Sequence, residues 1–209
     1  MQPESTDRRA VKTREAIESK FLEMLLRKNF NEITVKDIAA GANVSRGTFY
    51  LHYVDKFDLL GRVMDGGLTA LITHFHPENF FENSRLIPEK VVGFVTGIFG
   101  HFQKHELFFR AMLFNEGIPG FRSRVQKSFL QRFYSEVPGL ISLHGTSDPV
   151  TFEIVPIFIS SAMLGLVSWW FENDMSISKE EIARRLFLIM AKGPLRALGF
   201  VVDDGQEEG

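Results

Sequence analysis

The chain has 209 residues and a mass of 23.8 kDa, enough for one large domain or for a small module joined to a larger one, with no need of covalent staples. It contains no cysteine, which excludes disulfides, thiolate nucleophiles, Cys-ligated zinc and Cys-ligated iron–sulfur clusters together, and a reducing, cytoplasmic setting is the simplest expectation. With 24 Lys and Arg against 26 Asp and Glu the formal charge is -2, so any nucleic-acid binding has to come from a local basic patch.

The opening run MQPESTDRRAVKTREA is polar and carries no apolar core of the secretory kind. A first amphipathic helix is predicted over residues 8–28, with Val11, Ile17, Phe21, Met24 and Leu25 along one stripe. That segment holds seven Lys and Arg against three Glu, a net of +4. Thr34 opens TVKD, a hydroxyl three residues ahead of a carboxylate, and so starts a short second helix through Val35, Ile38 and Ala39 that ends near Gly41. After the tight link Ala42-Asn43-Val44, Ser45 caps a third short helix running to Tyr50. Asp55 caps a fourth, which carries Phe57, Leu59, Leu60, Val63 and Met64.

Beyond it, breaks at 77–83, 115–119, 143–149 and 173–178 separate predicted helices at 86–104, 106–114, 120–142, 150–172 and 178–198. Ser178 and Glu181 form a second capping-box pattern ahead of the last of these. The nearest approach to a membrane span is 154–171. Pro156 is expected to interrupt it, and Ser160, Ser161, Ala162 and Gly165 suit helix packing in a soluble protein, so no membrane partner is predicted. No alternating β-branched run is long enough for a sheet, and the fold class is all-α, with about nine helices. The predicted division is a helix-turn-helix domain over 1–54, a helical ligand-binding and dimerisation domain over 55–200, and an acidic tail over 201–209.

Two short helices joined by a tight turn form the geometry of a helix-turn-helix DNA-binding element. In TVKDIAAGANVSRGTFYLHYVDKFDLL, Ala39 and Ala40 let the helices cross closely and Val44 folds the turn back onto the core. Arg46 offers a guanidinium fork to guanine or phosphate, Gly47 admits a close backbone approach, and Ser45 and Thr48 offer hydroxyls. Tyr50, His52 and Lys56 are spaced as phosphate donors at the exit of that helix, and Thr34 with the free N–H groups of the second helix plays that part on the other side. Phe49 and Leu51 are expected in the core, and Tyr53 packs over the domain.

Over residues 8–64, through TVKDIAAGANVS followed by GTFYLHYVDKFDLL, the chain resembles the DNA-binding domain of TetR/AcrR-family transcriptional regulators. That resemblance implies a homodimer that binds double-stranded DNA through Thr34, Ser45, Arg46, Gly47, Thr48, Tyr50, His52 and Lys56, dimerises through its last two long helices, and binds an inducer. More loosely, SSAMLGLVSWWFENDMSISKEEIARRLFLIM resembles the C-terminal region of a Firmicutes TetR subfamily of the dihydroxyacetone-kinase-activator type.

Phenylalanine is abundant, 21 in all, yet only Phe21, Phe30, Phe49 and Phe57 fall in the first sixty residues. The ring-rich remainder suits either an apolar cavity or a plain core. Val95, Phe99, Phe102, Met112, Phe129, Phe133 and Phe158 are the candidate lining for a small apolar or aromatic inducer. For dimerisation, Val155, Ala162, Leu166 and Trp169 fall along one helix face and Ile182, Leu186, Ile189 and Met190 along the next, the pattern of a four-helix bundle built from two copies. His101 and His105 have a metal-ligand spacing without a third ligand in sequence, so no metal is predicted. No catalytic motif, and no cofactor-binding motif, is present. The expected function is a ligand-responsive repressor acting on a pseudopalindromic operator, with a co-activator working through a protein partner as the alternative.

Overall fold

The computed structural model describes residues 4–72, 76–83, 85–118, 120–137 and 148–199. Among them the chain forms ten α-helices: α1 (Glu4–Leu25), α2 (Val35–Gly41), α3 (Arg46–Tyr50), α4 (Lys56–Ile72), α5 (Pro88–Lys104), α6 (Glu106–Phe114), α7 (Phe121–Glu136), α8 (Pro149–Glu172), α9 (Lys179–Lys192) and α10 (Pro194–Ala197). The all-α class holds. The β-structure among the described residues is a two-residue antiparallel pair, Phe81 opposite Leu86 and Glu82 opposite Arg85, turning through Asn83 at φ 48°.

Several helices differ from expectation, α1 among them, which runs over Glu4–Leu25 rather than 8–28. The helix expected over 178–198 divides at Gly193, whose φ of 79° leaves the helical region and whose successor Pro194 has no N–H to donate. The helix expected over 120–142 is described to Glu136, and residues 138–147 lie outside the described set, as do His74 and the tail 201–209. Pro156 does not interrupt α8, which runs through it unbroken. Continuous over 24 residues, α8 is the one helix among the described residues long and apolar enough to cross a membrane by length and composition.

The chain gathers into two compact units, residues 1–74 with 105–132, and residues 75–104 with 133–209. In the first unit α1 buries Ile17, Phe21 and Leu25, one helical turn apart, and packs against both α2 and α6. Phe21 meets Phe30 edge-on at 6.2 Å and Phe30 meets Phe57 at 5.3 Å. From α6, Phe108, Phe109, Ala111 and Met112 are buried, and Phe108 lies edge-on to Phe121 of α7 at 5.7 Å. Unit 1 is therefore larger than a three-helix module, because α6 supplies rings to the core that α1 and α4 share.

In the second unit α5 and α9 pack together, burying Val95, Phe99 and Phe102 from one and Ile182, Ala183 and Leu186 from the other. Trp170 of α8 stands edge-on to Phe99 at 5.1 Å, and its indole N–H donates to the Ile177 carbonyl at 2.7 Å. Ser178 caps α9 by accepting the Glu181 N–H, while the Glu181 carboxylate turns forward to Arg184 and Arg185.

At Gly67 the α4 backbone lies against the ring of Phe108, and a Cβ there would overlap the ring carbons. Gly67→Ala is expected to destabilise the fold by about 1–3 kcal/mol in urea denaturation, through overpacking of a buried ring. Phe108→Leu in the same chain is expected to recover part of that loss.

Candidate nucleic-acid interface

The helix-turn-helix is set by local chemistry. The Thr34 oxygen accepts the Asp37 N–H at 3.2 Å while the Asp37 carboxylate accepts the Thr34 N–H at 3.0 Å, a complete capping box at the start of α2. The Thr34 hydroxyl bond, followed by its backbone N–H, holds the Asp37 carboxyl below the usual range. At the other end, α2 comes so close to α1 that a Cβ on Gly41 would sit 2.6 Å from the Met24 methyl. Asn43 takes the left-handed conformation at φ 55°, and the Val44 N–H returns to the Ala39 carbonyl at 2.9 Å. Ser45 then accepts the Thr48 N–H at 2.9 Å and starts α3.

The inner side of α3 is tied to α1. Phe49 is fully buried against Tyr53, their rings 5.5 Å apart, and the Tyr53 hydroxyl donates to Glu18 Oε1 at 2.7 Å. Burial, then that carboxylate, pushes the Tyr53 phenol well above its ordinary value, so it stays a donor. Arg62 of α4 lies 5.5 Å from the same ring and pairs with Asp58 at 2.9 Å. The bond to Arg62 holds the Asp58 carboxyl low.

With its inner side engaged, α3 leaves Ser45, Arg46, Gly47 and Tyr50 exposed and Thr48 and His52 half-buried. No hydrogen bond or ion pair ties the Arg46 side chain to another described residue. The Ser45 and Thr48 oxygens are 2.9 Å apart, so one hydroxyl donates to the other and the second keeps its proton for a ligand. Leu51, expected in the core, is 82% exposed. Phe49 and Tyr53 share the inward face at i and i+4, which turns position 51 about 200° away. Helical periodicity carried that signal, and Leu51 joins the outward set together with Val54, which is also exposed.

Two expected phosphate donors are occupied within the fold. The Thr34 hydroxyl donates to Asp37 Oδ2 at 2.7 Å. The Lys56 ammonium donates to the carbonyls of Phe30, Asn31 and Ile33 at 3.0, 3.2 and 2.9 Å, which uses all three of its N–H bonds. It also stands 4.6 Å from the centre of the Phe30 ring. Lys56 acts here as a clamp on the 3-10 turn Phe30–Glu32.

Residues 22–63 match the family described as bacterial regulatory proteins, tetR family, and residues 90–192 match the transcriptional regulator C-terminal region. The chain belongs to the TetR family of transcriptional regulators. As a TetR-family protein it is a DNA-binding regulator and not an enzyme. The HTH-type transcriptional regulator YxbF of Bacillus subtilis (strain 168) is 41% identical over 69 residues, which span 32% of this chain and only 18% of that relative. A TetR transcriptional regulator from Streptococcus agalactiae 2603V superposes over 90% of this chain and 98% of its own with a TM-score of 0.63 at 24% identity. FadR from Bacillus subtilis, solved in complex with stearoyl-CoA, covers 86% of this chain and 98% of its own with a TM-score of 0.65 at 16% identity. At these identities the two structures establish a shared fold.

Val95, Phe99 and Phe102 are buried in unit 2, where Phe133 is half-buried, while Met112 is buried and Phe129 half-buried in unit 1. Phe158 is 53% exposed on α8. Of the candidate dimer residues, Val155, Trp169 and Met190 are exposed and Ala162, Leu166 and Ile189 half-buried. Ile182 and Leu186 are buried inside unit 2, because α9 turns that stripe toward α5, and they are not free to meet a second copy.

Lys56→Met is expected to cost about 1–3 kcal/mol in urea denaturation, since two part-buried carbonyls and one exposed carbonyl lose their donor. An unchanged stability, with a salt slope of DNA binding reduced by about one, would return Lys56 to the phosphate class. Asp37 and Asp58 both have lowered folded values, so their contribution is complete above the ordinary Asp range and is lost as pH falls below about 4. Chemical denaturation at pH 5 and pH 3 is expected to show a smaller acid loss in the Asp37→Asn, Asp58→Asn double variant than in the parent chain.

Proposed function

We propose that this TetR-family regulator is a ligand-responsive repressor that binds a pseudopalindromic operator as a homodimer in the cytoplasm. One observation carries the DNA reading: α3 directs Phe49 into the core, with Tyr53 buried just beyond its end, while Arg46, Tyr50 and Leu51 are exposed, the Tyr50 ring standing edge-on to Phe49 at 5.6 Å. Placed in a major groove, the Arg46 fork suits guanine O6 and N7, Leu51 suits a thymine methyl, and the Ser45 and Thr48 hydroxyls suit base edges or phosphate. Gly47 presents no Cβ and lets the helix approach.

Support for the homodimer comes from α8. Val150, Ile154, Ile157 and Phe158 are exposed at i, i+4, i+7 and i+8, and Ser161, Gly165 and Trp169 continue the same outward face. An apolar stripe of this length on a soluble regulator fits burial against its symmetry mate. The stripe runs beside the expected positions Val155, Ala162 and Leu166 and shares Trp169 with them. The effector is a small apolar or aromatic molecule. The ring supply outside the helix-turn-helix favours such chemistry, and a fold neighbour, FadR of Bacillus subtilis, was crystallised with stearoyl-CoA. The effector acts by binding one of two regulator states more tightly than the other.

Gel-shift titration of the dimeric protein against the DNA upstream of its own gene is expected to give a specific shift that weakens steeply with salt. The absence of any such shift from folded, dimeric protein would remove the proposal. Arg46→Ala is expected to relax base preference at one position of each half-site, at about 1–3 kcal/mol of discrimination, and Tyr50→Phe to weaken all sequences alike.

A further inference from the structure

Asn115 lies in the link between α6 and α7, and its carboxamide is completely used. Nδ2 donates to the Leu25 carbonyl at 2.7 Å and to the Lys28 carbonyl at 2.8 Å. Oδ1 accepts the Phe30 N–H at 3.1 Å and the Gly117 N–H at 3.0 Å. Two donors and two lone pairs therefore each have a partner, and three of the four partners lie 85 to 90 residues away in sequence.

Those three partners are the backbone groups where α1 ends and the 3-10 turn begins, where a helix C-terminus leaves carbonyls without intrahelical donors. The seat is tight. Gly117 is buried, and a Cβ on it would overlap the Asn29 carboxamide and come within 2.9 Å of the Phe30 nitrogen. On its other side the same turn gives three carbonyls to Lys56 at the start of α4. A continuous hydrogen-bonded path thus runs from the α6–α7 link through Phe30 to Lys56, and Ile33, the last carbonyl of that path, adjoins the capping box that starts α2.

We propose that Asn115 is a positioning residue for DNA binding: its carboxamide fixes the segment 25–33 and through it the placement of α2 and α3 on α1. A shift of the α6–α7 link then alters DNA affinity without any contact between that link and DNA. This rests on the DNA-binding reading above. Asparagine is specifically suited, because aspartate would set a carboxylate against two carbonyls and alanine would leave the Phe30 N–H and two carbonyls without this partner.

The test uses the full-length chain and an operator fragment identified by gel shift. Asn115→Ala and Asn115→Asp are compared with Val125→Ala, which trims a buried α7 side chain of the same unit and leaves the carboxamide intact. Fluorescence anisotropy is expected to show a loss of affinity on the order of ten-fold for both Asn115 variants, with Val125→Ala within about two-fold of the parent at a comparable drop in Tm. Equal losses at matched Tm, or a parent-like Asn115→Ala, overturn the proposal. Should both Asn115 variants fail to fold, hydrogen exchange in the parent chain decides: DNA is expected to slow exchange of the Phe30 and Gly117 amides, and unchanged rates overturn it. A parent chain that binds no upstream DNA defeats the DNA reading itself, a result distinct from a parent chain that binds while Asn115 proves indifferent.

Discussion

Backbone groups released at the end of α1 have to find partners, and the way they find them organises the first unit. The 3-10 turn Phe30–Glu32 has too few residues to satisfy itself. It is held from one side by the Asn115 carboxamide and from the other by the Lys56 ammonium, with the Phe30 ring wedged between Phe21 and Phe57. Charge-assisted bonds from a lysine to several carbonyls are stronger than neutral ones, so this short turn is a fixed point. The helix-turn-helix begins three residues beyond it, at Val35, and inherits that fixed position.

The same division of labour explains which polar groups remain for DNA. Thr34, Lys56 and Asn115 are engaged by the chain itself, as is Tyr53 through Glu18. Arg46 and Tyr50 are exposed, and between them Gly47 leaves a gap in the side-chain surface. A recognition helix of five residues cannot hold itself together by propagation alone. Its placement has to come from Phe49, with Tyr53 just past its end, and these aromatic anchors matter to the proposed DNA contact as directly as the exposed residues do.

Features encoded within one turn of helix were legible in the sequence. The Thr34–Asp37 box, the Ser45 cap and the Asp55 cap all appear where the residue types place them, since each needs only neighbours two or three positions away. Lys56 and Asn115 were not legible in their actual roles, because their partners lie 23 to 90 residues off and only the packed chain brings them together. Leu51 is a different case: the period that placed Phe49 inward also placed Leu51 outward, and its apolar character argued for burial against the geometry. An exposed leucine at such a place is consistent with the proposed approach of α3 to a major groove, where a thymine methyl would meet it.

The exposed face of α8, proposed above as the dimer face, was obscured for another reason. Helix α8 is apolar on nearly every side, so its sequence offers no polar stripe against which to define an exposed one. The outward face emerges from burial alone: Pro156, Ser160, Leu164, Val167, Ser168, Trp170 and Phe171 turn inward, and Val150, Ile154, Val155, Ile157, Phe158 and Trp169 are left exposed. Two of the inward residues are small and polar, and the Ser160 and Ser168 hydroxyls donate back to the carbonyls of Ile157 and Leu164. That arrangement gives both buried hydroxyls an acceptor on their own helix. The inward face also carries Leu164, Val167, Trp170 and Phe171, so α8 is apolar inside and out, and its exposed side chains Val150, Ile154, Ile157 and Phe158 are the ones the proposed homodimer would cover.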